Sequence, residues 1–173
     1  MFKKTFKVLA HTTNIAATLG LVAFGAVQIN TAQAEAAEPL PAGADDMHCL
    51  QQNIFFEARN QSRIGQVSVA WVTLNRVDAE RYPDTICGVV WQEKQFSWTH
   101  DGKADTPDDN VIAQRAWEDA GVVAEVVVID WLRAAYLRSP IEDATMYHAN
   151  YVDPYWAASY THVATVDDHL FYR

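Results

Sequence analysis

The chain has 173 residues, half of them hydrophobic, and its formal net charge at pH 7 is −9. This length predicts a single folded domain. The excess of acidic residues argues against nucleic acid and anionic membrane surfaces as partners.

Residues 1–34 have the pattern of a secretory signal peptide. Three lysines stand among the first seven residues, an apolar run of 15 residues covers 15–29, and Ala-Gln-Ala at 32–34 has the small-x-small form of a signal-peptidase site. Because the run is short for a membrane span, we expect cleavage after Ala34 and no stable membrane insertion of the mature chain. Export to the periplasm, the cell wall or the medium would follow, and an uncleaved anchor is the alternative.

Residues 35–46 predict a disordered linker, since they are rich in Ala, Pro and Glu, and residues 47–173 predict the folded domain. Within this domain, residues 47–59 suit a first helix because no Pro or Gly interrupts them. Residues 63–80 predict a second helix, which has an apolar stripe at helical spacing. Thr85 would then cap a short helix over the next residues, ICGVVWQ.

The second half of the domain predicts one long helix and a small β element. After a polar loop, Asp108 or Asp109 opens a helical period that runs to about Leu137. The run VVAEVVV inside it also suits a strand. The tail has short β-branched and aromatic segments separated by Val-Asp-Asp, which is typical of a hairpin. The predicted fold class is therefore α+β, mainly α.

One acidic residue, Glu57, falls on the apolar side of the first predicted helix. At about 100° per residue it lies between Leu50 and Asn53. Burial and the negative end of the helix dipole both disfavour a charged carboxylate, so the pKa of Glu57 should rise toward the range that suits a general acid. The alternative is a structural carboxylate paired with a buried arginine such as Arg76. The polar residues of the helix are predicted on the other side: His48, Gln51, Gln52 and Arg59.

The chain has two cysteines, Cys49 and Cys87. Export to an oxidising compartment favours a disulfide between them, and two buried thiols are the alternative. Their spacing has none of the Cys/His patterns that zinc sites use. We therefore expect no metal and no other cofactor.

Six stretches follow one another in chain order from Cys49 to Arg173: CLQQNIFFEAR, GQVSVAWVTLNRV, YPDTICGVVWQ, QFSW, ATMYH and HLFYR. Together they resemble the SleB-like cell-wall hydrolase family, whose members include spore-cortex lytic enzymes. The resemblance implies a peptidoglycan-cleaving domain with a lysozyme-like, lytic-transglycosylase-like fold, in which the catalytic glutamate of the EAR motif is Glu57. Family members often read EARGE where this chain reads EARNQ, so the second acid is absent and its role cannot be carried over.

The resemblance and the single inward acid together predict a lytic transglycosylase. Glu57 would protonate the glycosidic oxygen between N-acetylmuramic acid and N-acetylglucosamine. The resulting carboxylate would take the proton of the muramoyl 6-hydroxyl, which closes on C1. The expected partner of this monomeric enzyme is the glycan strand of peptidoglycan. The predicted substrate-binding residues carry hydrogen-bonding groups or flat aromatic rings: Gln95, Ser97, Trp98, Tyr147 and Trp156.

Three other functions stay open. A hydrolytic muramidase would need a second carboxylate, for which the Asp-rich loop 101–109 offers candidates. A zinc-dependent amidase would need closely spaced ligands such as HExxH, a motif that this sequence does not contain. A non-catalytic wall-binding module would keep the aromatic residues without needing an inward glutamate.

Overall fold

The computed structural model describes residues 43–133 and 139–173. The predicted signal peptide therefore lies outside the described residues, as do most of the predicted linker and the end of the predicted long helix. The described part contains four α-helices, two short 3-10 helices and three strands.

The first helix, α1, spans Ala44–Ala58, so it begins three residues before the predicted start at Met47. Two aspartates, Asp45 and Asp46, lie in its first turn, where the helix dipole favours negative side chains. At the other end, the backbone N–H of Arg59 donates to the carbonyl of Phe55 at 3.3 Å. Glu57 therefore lies in the last turn of α1.

The second helix, α2, spans Arg63–Val77, and ten of its 15 residues are buried. It therefore runs through the interior of the domain and carries polar side chains there. The N-terminal cap of the helix is Ser62, whose hydroxyl oxygen accepts a hydrogen bond from the N–H of Gly65 at 3.3 Å. The carboxylate of Asp167 accepts from both the N–H and the hydroxyl of Ser62, at 2.9 and 2.6 Å, so the C-terminal hairpin is fixed to the start of α2.

The third helix, α3, is short and spans Ile86–Val90. Its cap is Thr85, as predicted, and the Thr85 hydroxyl accepts from the N–H of Gly88 at 3.0 Å. A disulfide with a sulfur–sulfur distance of 2.05 Å joins Cys49 in α1 to Cys87 in α3. This bond is the pairing that the sequence favoured.

The fourth helix, α4, spans Val111–Arg133, so the run VVAEVVV is helical and the strand alternative is wrong. The helix begins after Asn110, whose side-chain oxygen accepts from the N–H of Ala113 at 2.9 Å, rather than after Asp108 or Asp109. A 3-10 helix at Ser97–His100 and a polar loop precede it. Within the described ranges, no helix is both long and apolar enough to cross a membrane.

The three strands form one antiparallel sheet in the order β1-β3-β2. They are β1 (Met146–Ala149), β2 (His162–Val166) and β3 (His169–Tyr172). The predicted hairpin corresponds to β2 and β3, and β1 pairs with the other edge of β3. Tyr147 stands opposite Phe171 in the register. Because residues two apart in a strand share a face, the side chains of Tyr147, His169 and Phe171 lie on the same face of the sheet.

The hydrophobic core lies between the helices and the face of the sheet that carries Tyr147, His169 and Phe171. A mainly helical domain with a minor β element was predicted, and the structure confirms that class. The largest fully buried side chains come from all parts of the domain: Phe55, Phe171, Leu50, Ile54, Leu74 and Ile141.

Candidate active site

Glu57 lines a cavity of about 530 Å³ and is half-buried in its wall. The end of α1 forms one wall of this cavity, residues 94–97 form another, and β1 with His169 of β3 closes a third side. Glu57 faces inward, as its helical spacing predicted. The same reasoning was wrong for Gln52, which is only 6% exposed because its side-chain amide donates to the carbonyl of Asp105 at 2.9 Å under the polar loop.

The Glu57 carboxyl group is held by a hydrogen bond from the sheet. The hydroxyl of Tyr147 donates to Oε2 of Glu57 at 2.9 Å. Burial raises the pKa of Glu57, although the Tyr147 hydrogen bond, the positive charge of Arg76 and the indole of Trp98 each lower it. Burial and the charge of Glu57 also hold the pKa of Tyr147 well above its ordinary value, so Tyr147 remains a protonated donor at neutral pH.

Arg76 brings a buried positive charge to the same cavity. The side chain is only 2% exposed, and its Nε donates to the carbonyl of Thr145 at 2.7 Å. With its amide oxygen turned toward the guanidinium, Gln95 accepts from Nη1 and Nη2 at 2.8 and 3.2 Å. Burial lowers the pKa of Arg76, and the charge of Glu57 opposes that effect.

Arg76 and Glu57 are not an ion pair of the kind that the structural alternative requires. Among the described residues, the salt bridges lie on the surface and none includes Arg76. The guanidinium is instead held by the neutral oxygens of Thr145 and Gln95. Its charge acts on Glu57 from beyond contact distance, which favours the carboxylate form without neutralising it.

Four of the five predicted substrate-binding residues line the cavity, and one does not. Gln95, Ser97, Tyr147 and Trp156 lie in its wall with Glu57. Ser97 is exposed and Trp156 is half-buried, so both can meet a ligand. Gln95 has a second task, since its amide oxygen holds the guanidinium of Arg76.

Trp98 is the exception, because its ring is part of the core. The side chain is only 7% exposed and stacks on Phe56 at a ring distance of 4.8 Å. It does not line the Glu57 cavity but a neighbouring one, so its role as a sugar-stacking surface stays a prediction. Its indole N–H has no partner at hydrogen-bond geometry among the described residues, yet it lies near enough to the Glu57 carboxylate to lower the pKa of that group.

The sequence did not single out His148 and His169 as members of this site. Both line the cavity. Burial lowers the pKa of His169, while Asp168 and Asp167 act in the opposite direction, so His169 is a neutral imidazole in the cavity wall. The signal that could have identified it is its place in the strand, two residues before the buried Phe171.

The site therefore has the composition of an acid–base enzyme. A carboxylic acid with a raised pKa faces a polar cavity, and a tyrosine hydroxyl donates a hydrogen bond to one of its oxygens. A buried guanidinium nearby favours the ionised form of this acid. Among the described residues, no three His, Cys, Asp or Glu side chains lie close enough together to hold a metal ion.

The comparison with known sequences identifies the family. A sequence model of the family described as Cell Wall Hydrolase matches residues 60–172, and the chain belongs to this family. The matched range begins three residues after Glu57, so the role of Glu57 stays a prediction.

The chain is also similar to curated spore cortex-lytic enzymes. That of Halalkalibacterium halodurans is 38% identical over 96 residues, which are 54% of this chain and 28% of that protein. That of Bacillus subtilis is 34% identical over 59 residues, which are 34% of this chain and 19% of that protein. The matched segments thus span well under a third of the length of these relatives.

Two solved structures share the fold. The catalytic domain of the germination-specific lytic transglycosylase SleB from Bacillus anthracis aligns with a TM-score of 0.59 and 23% identity, over 79% of this chain and all of that domain. The catalytic domain of the Bacillus cereus SleB protein aligns with a TM-score of 0.53 and 25% identity, over 78% of this chain and 95% of that domain. These likenesses confirm the predicted lysozyme-like fold.

Proposed function

We propose that the protein is a lytic transglycosylase that cleaves the glycan strands of peptidoglycan between N-acetylmuramic acid and N-acetylglucosamine. The observation that carries this proposal is the single acid of the cavity. Among the described residues that line it, Glu57 is the only Asp or Glu. Hydrolysis of glycosides commonly uses two carboxylates, whereas intramolecular ring closure needs one group that acts first as acid and then as base.

Glu57 has the properties that the first step requires. Because its pKa is raised by burial, a larger share of the side chain is protonated near neutral pH and can protonate the glycosidic oxygen. The bond to C1 of the muramoyl residue then breaks, and positive charge develops on the sugar ring. The N-acetylglucosamine leaves with the transferred proton on its hydroxyl group.

The second step uses the carboxylate that the first step leaves. Tyr147 donates to Oε2 of Glu57 at 2.9 Å, and the positive charge of Arg76 favours the same ionised form. The carboxylate takes the proton of the muramoyl 6-hydroxyl while that oxygen bonds to C1. Glu57 is thereby protonated again, and the product is a 1,6-anhydro end. No water enters, so positioning of the 6-hydroxyl contributes much of the rate.

We also propose that the protein acts outside the cytoplasm. The predicted signal peptide would deliver it to the periplasm, the cell wall or the medium, where peptidoglycan is accessible. We propose that it acts there as a monomer and without stable membrane insertion. The mixed polar and aromatic lining of the cavity, with Ser97 and Trp156 exposed or half-buried, suits an uncharged sugar better than an apolar ligand.

Mass spectrometry of muropeptides released from purified sacculi tests the reaction. The expected products end in 1,6-anhydro-N-acetylmuramic acid, weigh one water less than reducing ends and resist borohydride. Products with reducing ends that take up oxygen from labelled water would instead make the enzyme a hydrolytic muramidase.

Glu57→Gln tests the residue. Loss of a general acid should lower activity about 100- to 10,000-fold, with little change in melting temperature at acidic pH, where the wild-type side chain is neutral as well. Glu125→Gln, on the exposed side of α4, is the matched control and should retain full activity. A Glu57→Gln enzyme with more than about a tenth of wild-type activity contradicts the assignment, because loss of a general acid should leave far less.

A further inference from the structure

A second cavity adjoins the first and has a different character. It has a volume of about 290 Å³ and lies between the end of α1 and the loop 101–108. Phe56 lines both cavities, so the two spaces adjoin at this side chain, and Trp98 beside it lines the second cavity. We call it the loop cavity.

The loop cavity is lined by charges of both signs. Two cations come from the end of α1 and from the loop, and three carboxylates come from the loop: Arg59, Lys103, Asp101, Asp105 and Asp108. The Glu57 cavity has one acid and two cations, Arg76 and Lys94, and its other lining residues are neutral. The two spaces therefore suit ligands of different chemistry.

Arg59 is the residue whose binding capacity is unused. Its guanidinium lies over the ring of Phe55 at 4.9 Å, which engages the flat face of the group. None of the guanidinium N–H groups of Arg59 forms a hydrogen bond or an ion pair with another residue in 43–133 or 139–173. Because a guanidinium can bind a carboxylate through two parallel N–H groups, Arg59 offers an anion site at the edge of the loop cavity.

The loop is held in place by the protein itself. The buried Gln52 donates to the carbonyl of Asp105 at 2.9 Å, and Gln114 donates to the carbonyl of Asp108 at 3.1 Å. The Asp101 carboxylate accepts from the N–H of Lys103 at 2.9 Å and lies 3.2 Å from its ammonium group. A cavity whose walls are fixed before a ligand arrives loses less entropy on binding.

The arrangement of the charges favours an extended zwitterion. No three of these acids belong to a cluster that could hold a metal ion, as far as the described residues go. Lys103 already pairs with Asp101, so Arg59, Asp105 and Asp108 are the lining charges that form no ion pair among the described residues, and an uncharged sugar ring would use none of them. A short peptide that carries free carboxylates and a free ammonium group complements both signs along one chain.

We propose that the loop cavity binds the peptide stem of peptidoglycan while the glycan lies in the Glu57 cavity. The inference rests on the proposed function, in which N-acetylmuramic acid is bound beside Glu57. The stem leaves this sugar through its lactyl group and bears carboxylates and the ammonium group of a diamino acid. Arg59 binds a stem carboxylate, and the loop aspartates bind the ammonium group. The enzyme therefore prefers glycan strands that still carry their stems.

Calorimetric titration with the free tripeptide L-alanyl-γ-D-glutamyl-meso-diaminopimelate tests the site without any cleavage. We expect saturable binding to the wild-type protein that Arg59→Ala weakens about tenfold, equivalent to about 1.4 kcal/mol. Arg133→Ala removes an exposed cation at the far end of α4 and should leave binding unchanged. The same peptide with its carboxylates amidated should bind the wild-type protein as weakly as the unmodified peptide binds Arg59→Ala.

Three results would overturn the proposal. The peptide shows no saturable binding, or it binds Arg59→Ala as tightly as wild type. In the third, the peptide does not bind, calcium does, and Asp105→Asn abolishes the calcium binding. If Arg59→Ala lowers the melting temperature, Arg59→Gln replaces it, because glutamine removes the charge and keeps most of the side chain. Because the peptide carries no glycan, a failure of the proposed cleavage reaction leaves this titration interpretable.

A cleavage assay gives a second, independent measurement. Arg59→Ala should clear intact sacculi more slowly than wild type, while glycan strands stripped of their stems by an amidase should be cleaved at equal rates by both. An equal loss of activity on both substrates would assign the loop cavity to the glycan and reject a stem site.

Discussion

Replacement of Tyr147 by Phe removes one hydroxyl group from the site and leaves the ring in place. The lost hydrogen bond joins that hydroxyl to Oε2 of Glu57 at 2.9 Å. It favours the ionised carboxylate, because it lowers the pKa of Glu57 against the larger effect of burial. Without it, Arg76 and the indole of Trp98 remain as the groups that stabilise the carboxylate.

The size of the effect follows from the kind of hydrogen bond that is lost. A hydrogen bond to a charged group contributes about 1.5–3 kcal/mol. The carboxylate exists only after Glu57 has given up its proton, so the loss falls on the transition states that form and use it. A barrier higher by that amount lowers kcat about 10- to 160-fold.

The pH dependence separates this explanation from a general loss of structure. Glu57 must be protonated to act as the acid, so activity declines as the pH rises through its pKa. Removal of a group that lowers this pKa should move the alkaline decline of kcat/KM to higher pH. The assay is the rate of sacculus clearing at a series of pH values, with Tyr155→Phe as the control because Tyr155 is 95% exposed. An alkaline limb that stays in place, or moves to lower pH, refutes the role assigned to Tyr147.

Three further predictions concern the fold and the cofactor. Because burial raises the pKa of Glu57, the stability contributed by its neutral form is present at low pH and is lost as the pH rises through the folded-state pKa. The side chain of Glu57→Gln stays neutral, so the melting temperature of this variant should rise relative to wild type as the pH increases. A difference in melting temperature that stays constant with pH would contradict this prediction. The Cys49–Cys87 bond closes a loop with a separation of 38 residues and should contribute about 3–4 kcal/mol to the free energy of unfolding on the chain-entropy model. Thiol titration of the unfolded, unreduced exported protein checks the bond, and two free thiols per chain would refute it. EDTA should leave activity intact, whereas loss on chelation and recovery with zinc would favour the amidase alternative.

The position of Glu57 could be read from the sequence because helical periodicity is a local property. Residues 47–59 contain no helix breaker, so the spacing alone fixes which side chains share a face. The prediction failed for Gln52, whose burial depends on a loop 53 residues further along the chain. A helical wheel has no information about a segment that folds over its polar side.

The partners of Glu57 could be predicted only in part, since each comes from another element. Tyr147 was selected for its chemistry, but its contact with Glu57 joins residues 90 positions apart and depends on how the sheet packs on α1. The packing of Trp98 on Phe56 could not be predicted, because an aromatic residue next to polar ones looks the same in the sequence whether its ring faces solvent or another ring. The guanidinium of Arg76 and the amide of Gln95 meet through the packing of α2 against the 94–97 segment, which no local pattern encodes.

The departure from the family motif has a structural explanation in this chain. Where family members often carry a second acid, Gln61 forms two hydrogen bonds with Asp168: its amide donates to the carboxylate at 3.3 Å, and its oxygen accepts from the backbone N–H at 3.2 Å. A glutamate at this position could still accept from the N–H, but its charge would face that of Asp168 and lose the first hydrogen bond. Gln61 therefore ties the segment after Glu57 to the hairpin turn directly before His169. The residue that replaces an acid in the motif thus links the segment after α1 to the β2–β3 turn, and Glu57 is left as the single acid that the proposed reaction uses.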